Sequence, residues 1–238
     1  MLTLAVEALT KDFGSVRAVD DLTFTVPPGR VVAFLGPNGS GKTTTLRALL
    51  GLVAPTRGRA LIGGRLYRDL PHPAREVGAV LEARAFHRGR TARNHLRVMA
   101  TEARVPRSRV DDVLELVGLA DVADRRAGGF SLGMAQRLAL AGALLGDPGV
   151  LILDEPQNGL DPAGIRWLRA LLRDLAAEGR TVLVSSHVLA EVEQGADDVV
   201  IVDRGQLLGH RPVSEIAAES GSLEDGFLDL VDRREAIR

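Results

Sequence analysis

Cysteine is absent from the 238 residues. That excludes disulfides, thiolate metal sites and a cysteine nucleophile, and it suits a cytoplasmic setting. Aromatic side chains are few, with one Trp, one Tyr and six Phe. Lysine is nearly missing: among 30 basic residues only Lys11 and Lys42 are lysines, and the rest are arginine. Neither sign of charge is in excess, the formal net charge being −1, so no global basic field recommends a nucleic acid as partner. Long apolar runs are missing too. The longest, around Leu138–Gly146, falls far short of the ~20 residues that span a bilayer. The N-terminal MLTLAVEALTKDF carries acidic residues and does not read as a signal peptide. A role at a membrane is therefore expected only through a partner. The five histidines, at 72, 87, 95, 187 and 210, lack metal-ligand spacing, which argues against a zinc site. There are no repeats and no low-complexity linker.

What is present suits one α/β domain, with apolar residues making up 45% of the chain. The stretch Val31–Leu50, VVAFLGPNGSGKTTTLRALL, organises the rest. It reads as a buried strand over Val31–Leu35, a glycine-rich turn, and an amphipathic helix carrying Leu46, Leu49 and Leu50. The turn, Gly36-Pro37-Asn38-Gly39-Ser40-Gly41-Lys42-Thr43, is a full G-x-x-x-x-G-K-[ST] match. At average residue frequencies that pattern arises by chance at roughly a few positions in 100,000. Gly39 and Gly41 permit close backbone approach. Loop N–H groups can then face phosphate oxygens at the positive end of the following helix. Lys42 is placed to reach the β- and γ-phosphates and Thr43 to ligate Mg²⁺. A plain strand–turn–helix needs neither the lysine nor three glycines. In a chain whose other cations are nearly all arginine, a lysine here suits a point charge on phosphate.

Upstream, Leu2–Leu9 reads as a strand. Leu22, Phe24 and Val26 alternate with Thr23 and Thr25 as a second strand, closed by Pro27-Pro28-Gly29. These suggest an antiparallel β subdomain leading into the core strand. Phe13, between them, reads as a loop aromatic that either stacks on a base or caps a hydrophobic cluster. Downstream, Gly58–Ile62 with Gly63-Gly64 reads as strand and turn, and Val77–Leu81 as a strand leading to Glu82. The Arg84–Phe130 segment reads as a mainly helical insertion. Thr91 caps one of its helices, and a Ser108-x-x-Asp111 capping box opens another that ends at Gly118. Arg84, Arg88, Arg90 and Arg93 read as a solvated face, with a phosphate patch as the alternative.

Ser131 suits the N-cap of the next helix. Val150–Leu153 is continuously apolar, as in a strand buried on both faces of a parallel sheet. It ends in Asp154-Glu155-Pro156, where α/β sheets place ligands. With the phosphate loop upstream, Asp154 suits Mg²⁺ and Glu155 suits a general base that polarises water. Asp161-Pro162 opens a helix with Ile165, Leu168, Leu171, Leu172 and Leu175 on its buried face, stopped by Gly179. Thr181–Ser185 reads as a strand delivering Ser186 and His187 to the same edge. Val199–Asp203 and the residues near Leu207–Leu208 read as a hairpin, followed by a polar helical tail.

Together these pieces resemble the nucleotide-binding subunit of an ATP-binding cassette (ABC) transporter over about residues 2–230. GPNGSGKT (36–43) resembles Walker A, FSLGMAQR (130–137) the signature, and VLILDEP (150–156) Walker B with its catalytic glutamate. NGLD (158–161) resembles the D-loop and SSH (185–187) the switch histidine. Phe13 falls where the family's adenine-stacking aromatic lies. The resemblance implies a P-loop NTPase α/β core with a parallel sheet, an N-terminal antiparallel β subdomain and an inserted helical subdomain. Residues 1–238 are then one domain, with 1–83 and 131–238 as core and β subdomain and 84–130 as insertion.

The resemblance further implies ATP and Mg²⁺ as cofactors. Nucleotide contacts come from Phe13, Gly36, Pro37, Asn38, Gly39, Ser40, Gly41, Lys42, Thr43 and Thr44, and from Ser131, Gly133 and Asp161. Glu155, His187, Lys42 and Glu82 are the catalytic candidates, and Thr43, Asp154 and Glu82 the metal ligands. Two copies are expected to close head to tail on two ATP and to drive a separate transmembrane permease from the inner face of the cell membrane, with no nucleic acid involved. The tail 222–228, SLEDGFL, and the signature resemble exporters of drugs, antibiotics or lipids, so export ranks over import. Glu82 stands where the family has its Q-loop glutamine. Leu132 and Met134 depart from the usual signature, and Gln157 precedes the D-loop where a small residue is commoner. A regulatory or nucleic-acid-associated cassette and a binding-only cassette are the competing readings.

Overall fold

The computed structural model describes residues 1–236. The first half of the chain runs β1 (Leu4–Phe13), β2 (Val16–Val26), β3 (Arg30–Leu35), α1 (Lys42–Leu49), β4 (Arg57–Ile62), α2 (Pro73–Glu76), β5 (Val77–Val80), α3 (Ala92–Glu102) and α4 (Arg109–Leu116). It continues through α5 (Leu132–Leu144), β6 (Val150–Asp154), α6 (Pro162–Ala177), β7 (Thr181–Ser186), α7 (Leu189–Gly195), β8 (Asp198–Asp203), β9 (Gln206–Pro212), α8 (Val213–Ser220) and α9 (Leu223–Ala236). Two compact units result, one made of Met1–Asp69 and the chain from Leu172, the other of Leu70–Leu171.

In the first unit an antiparallel sheet has the order β2-β1-β4, and a second sheet carries the order β7-β3-β8-β9. β3 is parallel to β7 and β8, and β9 returns antiparallel to β8. The fold is thus mixed α/β, with parallel strands and an N-terminal antiparallel sheet. From Val31 to Leu35 β3 is buried throughout, as its unbroken apolar run requires. In the second unit β5 and β6 are parallel partners. Gly78 on β5 packs so closely on α5 that a Cβ there would lie 2.2 Å from the Ala143 carbonyl oxygen.

Three local readings are corrected. β1 does not end at Leu9 but continues to Phe13, and β2 starts at Val16. Register shifts between Val6 and Leu9, Leu9 and Lys11, and Lys11 and Asp12 break the alternation that marks a strand in sequence. Ser108 does not cap α4: it is itself αR, with no side-chain cap bond. Its neighbourhood is already wound, because the Arg109 and Val110 amides donate to the Pro106 and Arg107 carbonyls. The helical tail is more than polar. Val213, Ile216 and Leu223 are buried with Ala33, Leu35, Val199 and Ile201, and Phe227 and Leu230 pack against that cluster. Arg211 on β9 is held by Glu219 and Glu215 of α8. Leu223 is fully buried, so Leu223→Ala is expected to cost ~3 kcal/mol and to lower the melting temperature by roughly 9 °C.

Other local readings match the structure. Thr91 Oγ1 accepts from the Asn94 amide at 3.1 Å and caps α3. Gly118 takes φ +69 just past α4. The turn between β8 and β9 is Arg204-Gly205, with φ +46 and +80, the hairpin geometry that matches strand twist. Arg84, Arg88 and Arg90 are exposed, whereas Arg93 pairs with Asp124 and Asp111. The guanidinium of Arg93 is held above the ordinary arginine value, chiefly by its hydrogen bond to Asp124.

Candidate functional site

In the first unit the Gly36–Thr43 loop joins β3 to α1, and its shape is enforced by contacts that leave no room for side chains. A Cβ on Gly36 would lie 2.2 Å from the Val202 carbonyl oxygen, and one on Gly41 would lie 2.4 Å from that of Ala18. Gly41 also has φ +98, in the left-handed region. Gly39 has φ +81, but a Cβ there would meet nothing within 4 Å, so its demand is conformational alone. The loop is tied from outside by the Gly205 amide, which donates to the Ser40 carbonyl at 3.0 Å.

The loop fits a polyphosphate on three observations. α1 starts from Gly41 with no side-chain cap and no acidic residue in its first turn, the arrangement that leaves a helix N-terminus suited to an anion. Ser40 Oγ is buried without a hydrogen-bond partner, a costly state that a ligand oxygen would relieve. The Lys42 ammonium is buried and donates to the Gly36 carbonyl at 2.6 Å and the Pro37 carbonyl at 3.1 Å, so the cation is folded over the loop. Thr43 is exposed and Thr44 half-buried on the first turn of α1. The Thr45 hydroxyl donates to the Gly41 carbonyl at 3.0 Å. Thr43 carries a hydroxyl, a hard oxygen donor of the kind Mg²⁺ takes.

His187 and Phe13 belong to the same unit. β3 and β7 are in parallel register with Leu35 opposite Ser186, so Gly36 and His187 leave adjacent strands at the same C-terminal edge. His187 is exposed. Ser186 Oγ accepts from the Val188 amide at 3.0 Å, which steadies the turn beyond it. Phe13 ends β1 and is 50% exposed, with Lys11 Nζ 4.8 Å from its ring centre.

In the second unit β5 and β6 pair with Val80 opposite Leu153. Glu82 and the Asp154-Glu155 pair therefore leave neighbouring strands at one end. Asp154 and Glu155 are half-buried, whereas Glu82 is exposed. Glu155 has φ +45, a conformation uncommon for a non-glycine residue. Ser131 caps α5, its Oγ accepting from the Met134 amide at 3.2 Å. Asp161 caps α6, its Oδ1 accepting from the Gly164 amide at 2.7 Å. A Cβ on Gly133 would meet the Gly159 carbonyl oxygen at 3.0 Å, and one on Gly159 would fall 2.2 Å from Leu132 Cγ. Leu132 thus lies over Gly159, joining residues 131–133 to residues 158–161. α5 is braced by Arg137, which donates to the Val117 carbonyl at 2.8 Å and stacks 4.2 Å over Trp167.

Three of these features have no signature in the sequence: the Leu132–Gly159 contact, the Arg137–Trp167 stack, and a hydrogen bond from Asn158 to Glu155. Each joins residues through the folded backbone, and none has a residue spacing that announces it. Among the described residues no helix is long and apolar enough to cross a membrane.

A family model described as ABC transporter matches residues 19–158. A bacitracin transport ATP-binding protein of Bacillus licheniformis is 44% identical over 211 residues, covering 87% of this chain and 69% of that protein. A lantibiotic transport ATP-binding protein of Streptococcus pyogenes is 38% identical over 207 residues, covering 86% and 89%. A solved structure described as the ATP binding subunit of an ABC transporter superposes with a TM-score of 0.87 at 30% identity, covering 96% of this chain and 99% of that one.

Proposed function

We propose, because this chain belongs to the ABC transporter family of ATP-binding proteins, that it is the ATP-hydrolysing subunit of an exporter and powers a separate transmembrane permease. The single observation that carries the reading is the Gly36–Thr43 loop: closed to side chains at Gly36 and Gly41, uncapped at α1, and covered by the Lys42 ammonium. Names of relatives that refer to bacitracin and lantibiotic transport support a peptide antibiotic or similar amphiphile as cargo.

In this reading residues 1–238 act as one ATPase domain, with 1–83 and 131–238 as core and 84–130 as a helical insertion. Phe13 stacks on the adenine. The loop amides and Lys42 hold the β- and γ-phosphates, with Gly36, Pro37, Asn38, Gly39, Ser40, Gly41 and Thr44 shaping the cradle. Thr43, Asp154 and Glu82 supply oxygen ligands for Mg²⁺, whose charge offsets that of the phosphates. Glu155 accepts a proton from water as the water oxygen bonds to the γ-phosphorus, and the bond to the β–γ bridging oxygen breaks to leave ADP and phosphate. His187 steadies the γ-phosphate.

Ser131, Gly133 and Asp161 serve the nucleotide of a second copy in a head-to-tail homodimer. The subunit sits in the cytoplasm against the inner face of the membrane, attached only through the permease. The test is phosphate release from ATP and Mg²⁺ by the purified chain, alone and with the membrane protein that co-purifies with it. Turnover on that membrane protein is the expected result. Stable association with nucleic acid and no membrane partner would overturn the reading.

A further inference from the structure

The turn after β6 folds back on Glu155 in an unusual way. Glu155 sits at φ +45, and Pro156 and Gln157 behind it are buried. The chain then reverses, so that the Asn158 amide nitrogen donates to the Glu155 carbonyl at 3.1 Å. The Asn158 side chain donates through Nδ2 to Glu155 Oε2 at 2.7 Å. Main chain and side chain of one residue thus clasp main chain and side chain of the other. Only the NH₂ end of an asparagine amide can donate to a carboxylate, which fixes the sense of the bond.

We infer that Asn158 is a positioning residue for the Glu155 carboxylate, an inference that rests on Glu155 being the base proposed above. A glutamate has several rotatable bonds, and a base that must meet one water loses rate for every rotamer that points elsewhere. A charge-assisted bond to one carboxylate oxygen fixes the plane and rotamer of the group. The left-handed backbone at Glu155 is held by the same residue through the turn, so the strain and its restraint coincide. Leu132, lying over Gly159, holds the residue next to Asn158 against the start of α5.

The test is steady-state ATP hydrolysis by the full chain, with its membrane partner where turnover requires it, for Asn158→Ala, Asn158→Asp, Glu155→Gln and the doubles. Asn158→Ala is expected to lower kcat by about tenfold, the scale of one such bond, with KM for ATP unchanged. Asn158→Asp keeps the shape, removes the donor and sets a like charge against Glu155, so it is expected to fall at least as far. In the Glu155→Gln background neither change is expected to lower the residual rate by more than about twofold, because a residue acting through Glu155 has nothing left to position. Asn158 is exposed, so the melting temperature serves as a control for folding. Parental kcat in both single variants overturns the inference. So does a normal Asn158→Asp beside a slow Asn158→Ala, since shape alone would then suffice, and so do additive losses in the Glu155→Gln background. Parental turnover by Glu155→Gln itself is a different failure, and removes the base on which the inference rests.

Discussion

Glu155→Gln is expected to lower ATP turnover by a factor of about 10² to 10³ while leaving ATP binding within about twofold of the parent, since Gln keeps the size and polarity of the side chain. The carboxylate sits at the C-terminal end of β6, half-buried, on a left-handed backbone and held at Oε2 by Asn158. Such restraint suits a group whose one task is to take a proton in a fixed direction. Gln cannot take that proton at neutral pH. A charge-neutralising change of this kind that left kcat intact would mean that proton removal is not part of the slow step, or that another group performs it. ATP affinity is the control, because the proposed binding contacts lie in the loop after β3 and do not include the Glu155 carboxylate. Rates from phosphate release and affinities from titration with a nucleotide, both on the same preparation, separate the two effects.

Gly36→Ala and Gly41→Ala are each expected to weaken ATP binding by at least ~100-fold, whereas Gly39→Ala costs less than about tenfold. The three glycines look alike in the motif but face different constraints. A methyl group on Gly36 or Gly41 would stand 2.2 or 2.4 Å from a backbone oxygen, of Val202 and Ala18 respectively. Neither oxygen belongs to a flexible side chain, so the loop itself must shift, and a loop that shifts no longer presents its amides together. Gly41 adds φ +98. Gly39 meets nothing within 4 Å and has φ +81, so alanine there costs only the backbone strain, about 1 kcal/mol. Equal losses at all three positions would contradict the steric account. Circular dichroism melts separate loss of the loop from loss of the fold, since the Ala18 and Val202 carbonyls belong to β2 and β8.

The loop was legible because its chemistry is local: spacing alone places Gly36, Gly41 and Lys42, and the strand and helix beside it carry their own apolar patterns. The places of Asp154 and Glu155 at the end of β6 and of His187 after β7 were legible for the same reason, each following an apolar strand. The extent of β1 was not. Its bulges shift the register three times between Val6 and Asp12, and Ala8 takes φ +46, so a period-two reading fails at Leu9. Ser108 looks like a cap in sequence, but a cap requires a non-helical backbone at that residue, and the turn beginning at Pro106 removes it. The tail looked polar because its apolar residues Val213, Ile216 and Leu223 are spread over two short helices. They share a cluster only once α8 and α9 are folded. The Asn158 clasp was invisible for a related reason, since it depends on the backbone angle at Glu155.

The measurement that tests the account most directly is the mass in solution of the Glu155→Gln chain, with and without ATP and Mg²⁺, by light scattering during size exclusion. A monomer is expected without nucleotide and a dimer with it, because in the proposed dimer Glu155→Gln leaves binding intact and arrests hydrolysis, and Ser131 and Gly133 of each copy would complete the other's site. A chain that binds ATP tightly and stays monomeric at every concentration would contradict the two-copy site at the centre of the proposal.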